Sequence, residues 1–152
     1  MAAVGGIRPK STFQIGGAGS VGTGSVRGWP ALVRLREAGF AIWPFDVPAS
    51  PPVAVEIYPR VFTGPVVKSS ASARADLLDA RYPALPPRLR DHAVASEDAF
   101  DAAVSALAMS SHEDELRALP RVDDEMGRRE GRVWTPTAVH DVMPPAPPVA
   151  TS

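Results

Sequence analysis

Residues 96–107 read SEDAFDAAVSAL, and this stretch carries the clearest structural signal in the chain. Ser96 is a typical N-cap residue because its hydroxyl can accept a hydrogen bond from a free amide of the first helical turn. Apolar side chains recur at the spacing of one helix face, at Phe100, Ala103, Val104 and Leu107. We therefore predict a helix over Glu97–Leu107 whose apolar stripe packs on a core.

The first turns of this helix are acidic, with Glu97, Asp98 and Asp101. Asp98 and Asp101 lie about 60° apart around the helix axis, away from the apolar stripe. The helix dipole stabilises acids in a first turn, which explains Glu97 and Asp98. It explains Asp101 less well, because an acid four residues after another is repelled by it. A divalent cation such as Mg²⁺ would compensate converging carboxylates, so Asp98 and Asp101 are predicted metal ligands.

Two strands are predicted upstream, FAIWPF over Phe40–Phe45 and VAVEIY over Val53–Tyr58. Glu56 interrupts the second run, where a charge is unfavourable unless it is paired or lies at an edge. One interpretation is that Glu56 forms a salt bridge to Arg60 or lies at a sheet edge. Asp46, at the end of the first strand, would then be a turn-forming residue. The other interpretation is that both acids join the cation site.

Helix-capping residues and helix-breaking residues predict the remaining elements. Helices are predicted at Pro30–Ala38, Ser70–Ala80 and Pro86–His92. His112–Leu119 either continues the acidic helix or begins a second one, and Val133-Trp134 forms a small apolar patch. Residues 16–25 are predicted to form a glycine loop rather than a helix or strand.

That loop contains a G-x-G-x-x-G pattern over Gly17–Gly22, and Asp46 lies 24 residues after Gly22. The pattern is typical of dinucleotide binding, which needs a helix that opens at the glycines. Gly24, Gly28 and Pro30 are expected to interrupt such a helix. Nucleotide binding is therefore kept as an alternative, beside an anion site with Arg27 and a plain loop.

Composition and charge bound the class of protein. The 152 residues include 17 Pro, 12 Gly and no Cys, which excludes disulfides, thiolate metal sites and cysteine nucleophiles. Residues 1–90 carry 11 basic and 5 acidic side chains and residues 91–152 carry 5 and 12, so opposite charges separate along the chain. No membrane span or signal peptide is indicated, and we expect a cytoplasmic protein without a membrane partner. We expect residues 1–11 to be flexible and the Pro-rich residues 137–152 to be disordered.

Five motifs occur in order, and together they resemble a known family. They are KSTFQIGGAGSVGTGSVRG, LREAGFAIWPFD, VEIYPR with TGPVVKS, SEDAFDAAVSALAM and EGRVWTP. The series resembles the predicted RNase H-like nucleases described as domain of unknown function 429, over about residues 8–136. The resemblance implies an α/β fold with an RNase H-like mixed sheet flanked by helices over residues 12–136. It also implies a metal-dependent nuclease that uses Mg²⁺ or Mn²⁺.

The resemblance assigns residue roles as well. EDAFDAAVSA is similar to the start of the family's last helix, and VEIYPR is similar to its strand motif. Asp98, Asp101 and Glu56 are thereby implied as catalytic metal ligands, and Asp46 is predicted as a further ligand from its position at the end of the neighbouring strand. Arg27 and Lys68 are predicted to contact the phosphates of a nucleic acid.

One departure from the family concerns the N-terminal β-hairpin, whose first strand supplies an aspartate. The first acid of this chain is Glu37, so the chain resembles the C-terminal portion of such a domain. A complementing N-terminal fragment or a homo-oligomer is therefore an expected partner. A catalytically inactive fragment or a binding module is the alternative to a nuclease.

Overall fold

A computed structural model of the protein describes residues 22–48 and 52–137. Helix accounts for 57% of these residues, and the strands are short, so the class is mixed α/β with helix predominating. The helices are α1 Gly22–Glu37, α2 Pro59–Thr63, α3 Ala71–Arg81, α4 Pro87–Val94, α5 Glu97–Ser110, α6 Glu113–Arg117 and α7 Glu125–Glu130. The strands are β1 Ala41–Ile42, β2 Val53–Ala54, β3 Glu56–Ile57 and β4 Val133–Trp134.

The chain divides into two compact units. The first contains the described residues up to Tyr58 together with Asp114–Thr135. The second contains Pro59–Glu113 and the described residues from Pro136 onward. The acidic helix α5 belongs to the second unit, whereas every strand of the described ranges belongs to the first.

The strands of the first unit form parallel pairs. β1 pairs with β2 in the register Ala41↔Val53, and β3 pairs with β4 in the register Glu56↔Val133. Pro44 follows β1 and has no N–H to donate, so the ladder ends at the Trp43 N–H, which donates to the Ala54 carbonyl at 3.0 Å. Within the described ranges these two-stranded pairs are all the sheet there is. The α/β class is confirmed at this coarse level, and the larger mixed sheet is not seen.

The prediction of a glycine loop over residues 16–25 is wrong where it overlaps the described chain. Helix α1 begins at Gly22 and continues through Gly28 and Pro30 to Glu37. Glycine costs a helix about 1 kcal/mol and proline about 3 kcal/mol relative to alanine, so both penalise a helix without forbidding it. The interruption that argued against a helix opening at the glycines is therefore absent from α1. Residues 16–21 lie outside the described ranges.

The second unit is built on α5. α2 and α4 pack against α5, and α3 packs against α4. Phe62 from α2, Leu78 from α3 and Phe100 and Val104 from α5 are 0–1% exposed. Each such side chain contributes about 1.5–3 kcal/mol by its burial. The predicted apolar stripe of α5 is confirmed at Phe100 and Val104, which form the centre of this core.

Side-chain caps fix where the helices of this unit begin. Ser96 Oγ accepts from the Ala99 N–H at 3.1 Å, and Ser70 Oγ accepts from the Ala73 N–H at 3.2 Å. The predicted helices at Ser70–Ala80, Pro86–His92 and Glu97–Leu107 are confirmed within a few residues as α3, α4 and α5. The segment after α5 forms a separate short helix, α6.

No helix of the described ranges is long and apolar enough to cross a bilayer. The predicted flexible segment 1–11 and residues 138–152 of the predicted disordered tail lie outside those ranges.

Candidate functional site

Lys68 and Asp101 form an ion pair in the second unit. Lys68 Nζ lies 2.6 Å from Asp101 Oδ2, and the two side chains are 24% and 21% exposed. Lys68 was predicted as a phosphate contact and Asp101 as a metal ligand, from separate motifs 33 positions apart. The structure thus places two predicted site residues in direct contact.

Arg74 holds the backbone of Lys68 in place. This residue of α3 is 6% exposed, and its guanidinium donates to the Lys68 carbonyl. It also donates twice to the Val94 carbonyl at the end of α4, at 3.0 and 2.6 Å. A planar guanidinium can serve several acceptors at once, and a cation is favourable at a helix C-terminus. No sequence pattern singles out Arg74, because its role depends on burial.

Two oxygen atoms on one face of α5 are buried and accept no hydrogen bond from the described part of the chain. They are Asp101 Oδ1 and Ser105 Oγ, called here the open oxygens. Ser105 is 2% exposed and lies one helical turn after Asp101. A buried polar atom without a partner costs about 1–3 kcal/mol, so the open oxygens mark a position where a bound species would be stabilised.

The acids that precede the open oxygens are accessible. Glu97 and Asp98 are exposed in the first turn of α5, whereas Asp101 is half-buried. Glu97, Asp98 and Asp101 carry three negative charges and Lys68 carries one positive charge. The first turns of α5 with Lys68 therefore have a formal charge of −2.

Asp46, predicted as a metal ligand, has structural partners in the first unit. Its Oδ2 accepts from the Ile42 N–H at 2.9 Å and from Arg36 Nε at 3.0 Å, and its Oδ1 accepts from Arg36 Nη2 at 2.9 Å. The Ile42 hydrogen bond is the main cause that lowers the pKa of Asp46, and Arg36 lowers it further. Both carboxylate oxygens thus serve to hold the end of β1 against the C-terminal turn of α1.

Glu56, the other predicted ligand from a strand, lies in β3 of the first unit opposite Val133. The residue is exposed overall, yet partial desolvation of its carboxyl group raises the pKa. Glu56 and Asp46 belong to one unit, and Asp98 and Asp101 belong to the other. The four acids thus divide into two pairs, each described within its own unit.

Arg27, the second predicted phosphate contact, is exposed on α1 in the first unit. It follows the helix start at Gly22, and the other glycines of the G-x-G-x-x-G pattern precede the described ranges. Arg27 is therefore available to an anion, and its relation to the glycine pattern stays a prediction.

The implied divalent cation can be tested against the donor atoms of α5. In the described residues no group of three or more His, Cys, Asp or Glu side chains has a metal-binding arrangement. Mg²⁺ nevertheless is often held by one or two carboxylates, with water and substrate completing its shell. Asp101 Oδ1 is a buried carboxylate oxygen that Lys68 leaves unused, and Asp98 lies one turn earlier on α5, so the chemistry of this pair of acids suits such a cation.

The fold and site together define a mixed α/β chain with an acidic helix start and an adjacent lysine. Comparison with models of protein families, with curated proteins and with solved structures finds no match. The resemblance to RNase H-like nucleases therefore rests on the sequence motifs alone.

Proposed function

We propose that the protein is a metal-dependent phosphodiesterase of the RNase H-like type that acts on nucleic acid in the cytoplasm. The observation that carries this proposal is the 2.6 Å contact between Lys68 Nζ and Asp101 Oδ2. A phosphate-binding cation beside a metal-binding carboxylate is an arrangement that can serve phosphodiester hydrolysis. Asp98 and Asp101 would hold Mg²⁺ or Mn²⁺ on α5, where such an ion would activate a water molecule and offset the negative charge of the phosphate.

Lys68 has donors to spare for a substrate. An ammonium group carries three N–H donors, and Asp101 Oδ2 accepts one of them. The side chain is 24% exposed, so the remaining donors are within reach of a non-bridging phosphate oxygen. Arg74 donates to the Lys68 carbonyl and so restrains the backbone from which this side chain extends. Lys68 would thus orient the phosphate, and Asp101 would keep Lys68 in position.

The RNase H-like architecture is the finer part of the proposal. Its support is the order of the five sequence motifs and the parallel pairing of the VAVEIY segment with residues 41–42 and 133–134. Glu56 is retained as a ligand because the family resemblance nominates it, and Asp46 because it follows the neighbouring strand. In this structure Asp46 already has partners for both oxygens.

A binding module without catalysis is the main alternative. In that case the Lys68–Asp101 ion pair only stabilises the second unit, and the open oxygens form hydrogen bonds with water. The two functions differ in whether the acidic helix start binds a divalent cation.

Mn²⁺ titration followed by a cleavage assay separates these functions. We expect Mn²⁺ to raise the melting temperature of the full chain and to support cleavage of single- or double-stranded oligonucleotides. Asp101→Asn and Asp98→Asn should each make the Mn²⁺-induced rise in melting temperature and the cleavage rate at least tenfold smaller. Asp91→Asn is the matched control. Asp91 lies in the same unit, its side chain is 77% exposed, and its carboxylate lies 3.8 Å from the Arg90 guanidinium. Absence of any Mn²⁺ effect on the wild-type chain would refute the catalytic proposal.

Nucleotide binding through Gly17–Gly22 is kept as a second alternative, because helix α1 includes Gly22, the last glycine of the pattern, and is continuous through Gly28 and Pro30. A helix near such glycines can present backbone N–H groups to a phosphate. ATP and NAD at millimolar concentration should then raise the melting temperature, and Gly19→Val should remove the effect. If neither nucleotide changes the melting temperature, this alternative is dropped.

A further inference from the structure

Ser105 is the one buried hydroxyl that shares a helix face with a predicted metal ligand in the described chain. Its Oγ and Asp101 Oδ1 are the open oxygens, and residues four apart on a helix are neighbours with Cβ atoms about 5–6 Å apart. A serine is easily placed in a core if its hydroxyl bonds back to the helix backbone, but among the described residues Ser105 Oγ makes no such bond. The bonding capacity of this buried hydroxyl is therefore unused within the described chain.

The local charge favours a cation as the bound species. Glu97, Asp98 and Asp101 outnumber Lys68 by two charges, so a divalent cation neutralises the cluster and a water molecule does not. Lys68 occupies Asp101 Oδ2 from one side, which leaves Oδ1 as the oxygen for a second cation. Serine hydroxyls are established ligands of Mg²⁺ in phosphate-handling sites.

We propose that Ser105 Oγ and Asp101 Oδ1 both ligate the divalent cation, on its buried side, with Asp98 and water on its exposed side. This inference rests on the proposed function, because it concerns the same cation. It adds a neutral ligand that a search restricted to Asp, Glu, His and Cys overlooks. It also gives a reason for an unpaired hydroxyl in the centre of the second unit.

The experiment replaces the hydroxyl in two ways and uses Mn²⁺ and Cd²⁺ alone as probes. Ser105→Ala should leave the metal-free chain at least as stable as wild type, because it removes a buried polar atom without a partner. Mn²⁺ should bind to it at least tenfold more weakly, as measured by calorimetric titration and by the electron paramagnetic resonance signal of free Mn²⁺. Neither readout depends on catalytic activity.

Ser105→Cys tests the same position with a softer ligand. The native chain has no cysteine, so any thiolate-to-cadmium charge-transfer band must come from the introduced thiol. We expect this band in S105C at one equivalent of Cd²⁺, and its loss in the double variant with Asp101→Asn. Ser110→Cys is the control, because Ser110 is exposed at the end of the same helix and should give no such band at one equivalent.

The outcomes separate this inference from the proposed function. If wild type binds Mn²⁺ and S105A binds it equally well, Ser105 is not a ligand and only this inference falls. If S105C gives no cadmium band, the inference falls as well. If wild type binds no Mn²⁺, both the inference and the metal-dependent function are overturned.

Discussion

Lys68 Nζ lies 2.6 Å from Asp101 Oδ2, and about four-fifths of each side chain is shielded from solvent. Exposed ion pairs contribute about 0–1 kcal/mol because water screens them. This pair is more shielded than the exposed ion pairs of the chain, and its charges would be costly to separate. The contact therefore has consequences for stability as well as for the proposed chemistry.

Lys68→Met should destabilise the metal-free chain by about 1–3 kcal/mol, because it leaves the half-buried Asp101 carboxylate without its cation. Urea unfolding at neutral pH measures the change. Arg121→Met is the matched control: Arg121 pairs with Asp123 at 3.1 Å, but the two side chains are 74% and 77% exposed. The control should change stability by less than about 0.5 kcal/mol. Equal stability of K68M and wild type would contradict the prediction.

Asp46→Asn should destabilise the first unit by about 1–2 kcal/mol, since it weakens the Ile42 hydrogen bond and removes the charge paired with Arg36. Folding lowers the pKa of Asp46 below its ordinary value of 3.8, so the stabilisation is present above that value and is lost as the pH falls through the folded value. The difference in unfolding free energy between D46N and wild type, measured at pH 7 and near pH 2, should be smaller in acid. Mn²⁺ binding should be unchanged, and its loss in D46N would show that Asp46 is a ligand after all.

Glu56→Gln should stabilise the chain at neutral pH. Desolvation raises the pKa of Glu56 above its ordinary value of 4.5, so the folded state binds the proton more tightly than the unfolded state. The destabilisation from the charged form is absent well below 4.5, develops as the pH rises through the folded value, and is complete above it. Melting temperatures of E56Q and wild type should therefore converge in acid and separate at pH 7, with Glu37→Gln as an exposed control in the same unit. A lower melting temperature of E56Q at pH 7 would refute this.

Arg74→Met should destabilise the second unit by about 2–4 kcal/mol, because the Lys68 and Val94 carbonyls both lose their donor. Arg74→Lys should recover only part of this loss, since an ammonium lacks the planar fork that reaches both carbonyls. Arg88→Lys on the exposed face of α4 is the control and should be neutral. Amide hydrogen exchange near the end of α4 would localise the effect. Full recovery of wild-type stability in R74K would contradict this, because a positive charge alone would then be sufficient at this position.

Local signals predicted much of the helical structure. Ser70, Pro86 and Ser96 marked the starts of α3, α4 and α5 within one or two residues, because capping depends on groups within one turn. The same logic failed at α1, where Gly24, Gly28 and Pro30 were expected to interrupt a helix and the helix continues through all three. Strand positions were predicted, but their pairing was not, since parallel partners such as Glu56 and Val133 are far apart in sequence.

The sequence by itself determined the position of α5, its acidic start and the identity of Asp98, Asp101 and Lys68 as charged candidates. These properties follow from periodicity and capping, which act over a few residues. Only the tertiary structure decided that Lys68 contacts Asp101, that Asp46 is held by Ile42 and Arg36, and that the Ser105 hydroxyl is buried. Burial and long-range pairing depend on which elements pack together, and helical spacing alone cannot distinguish a serine that faces solvent from one enclosed by its neighbours.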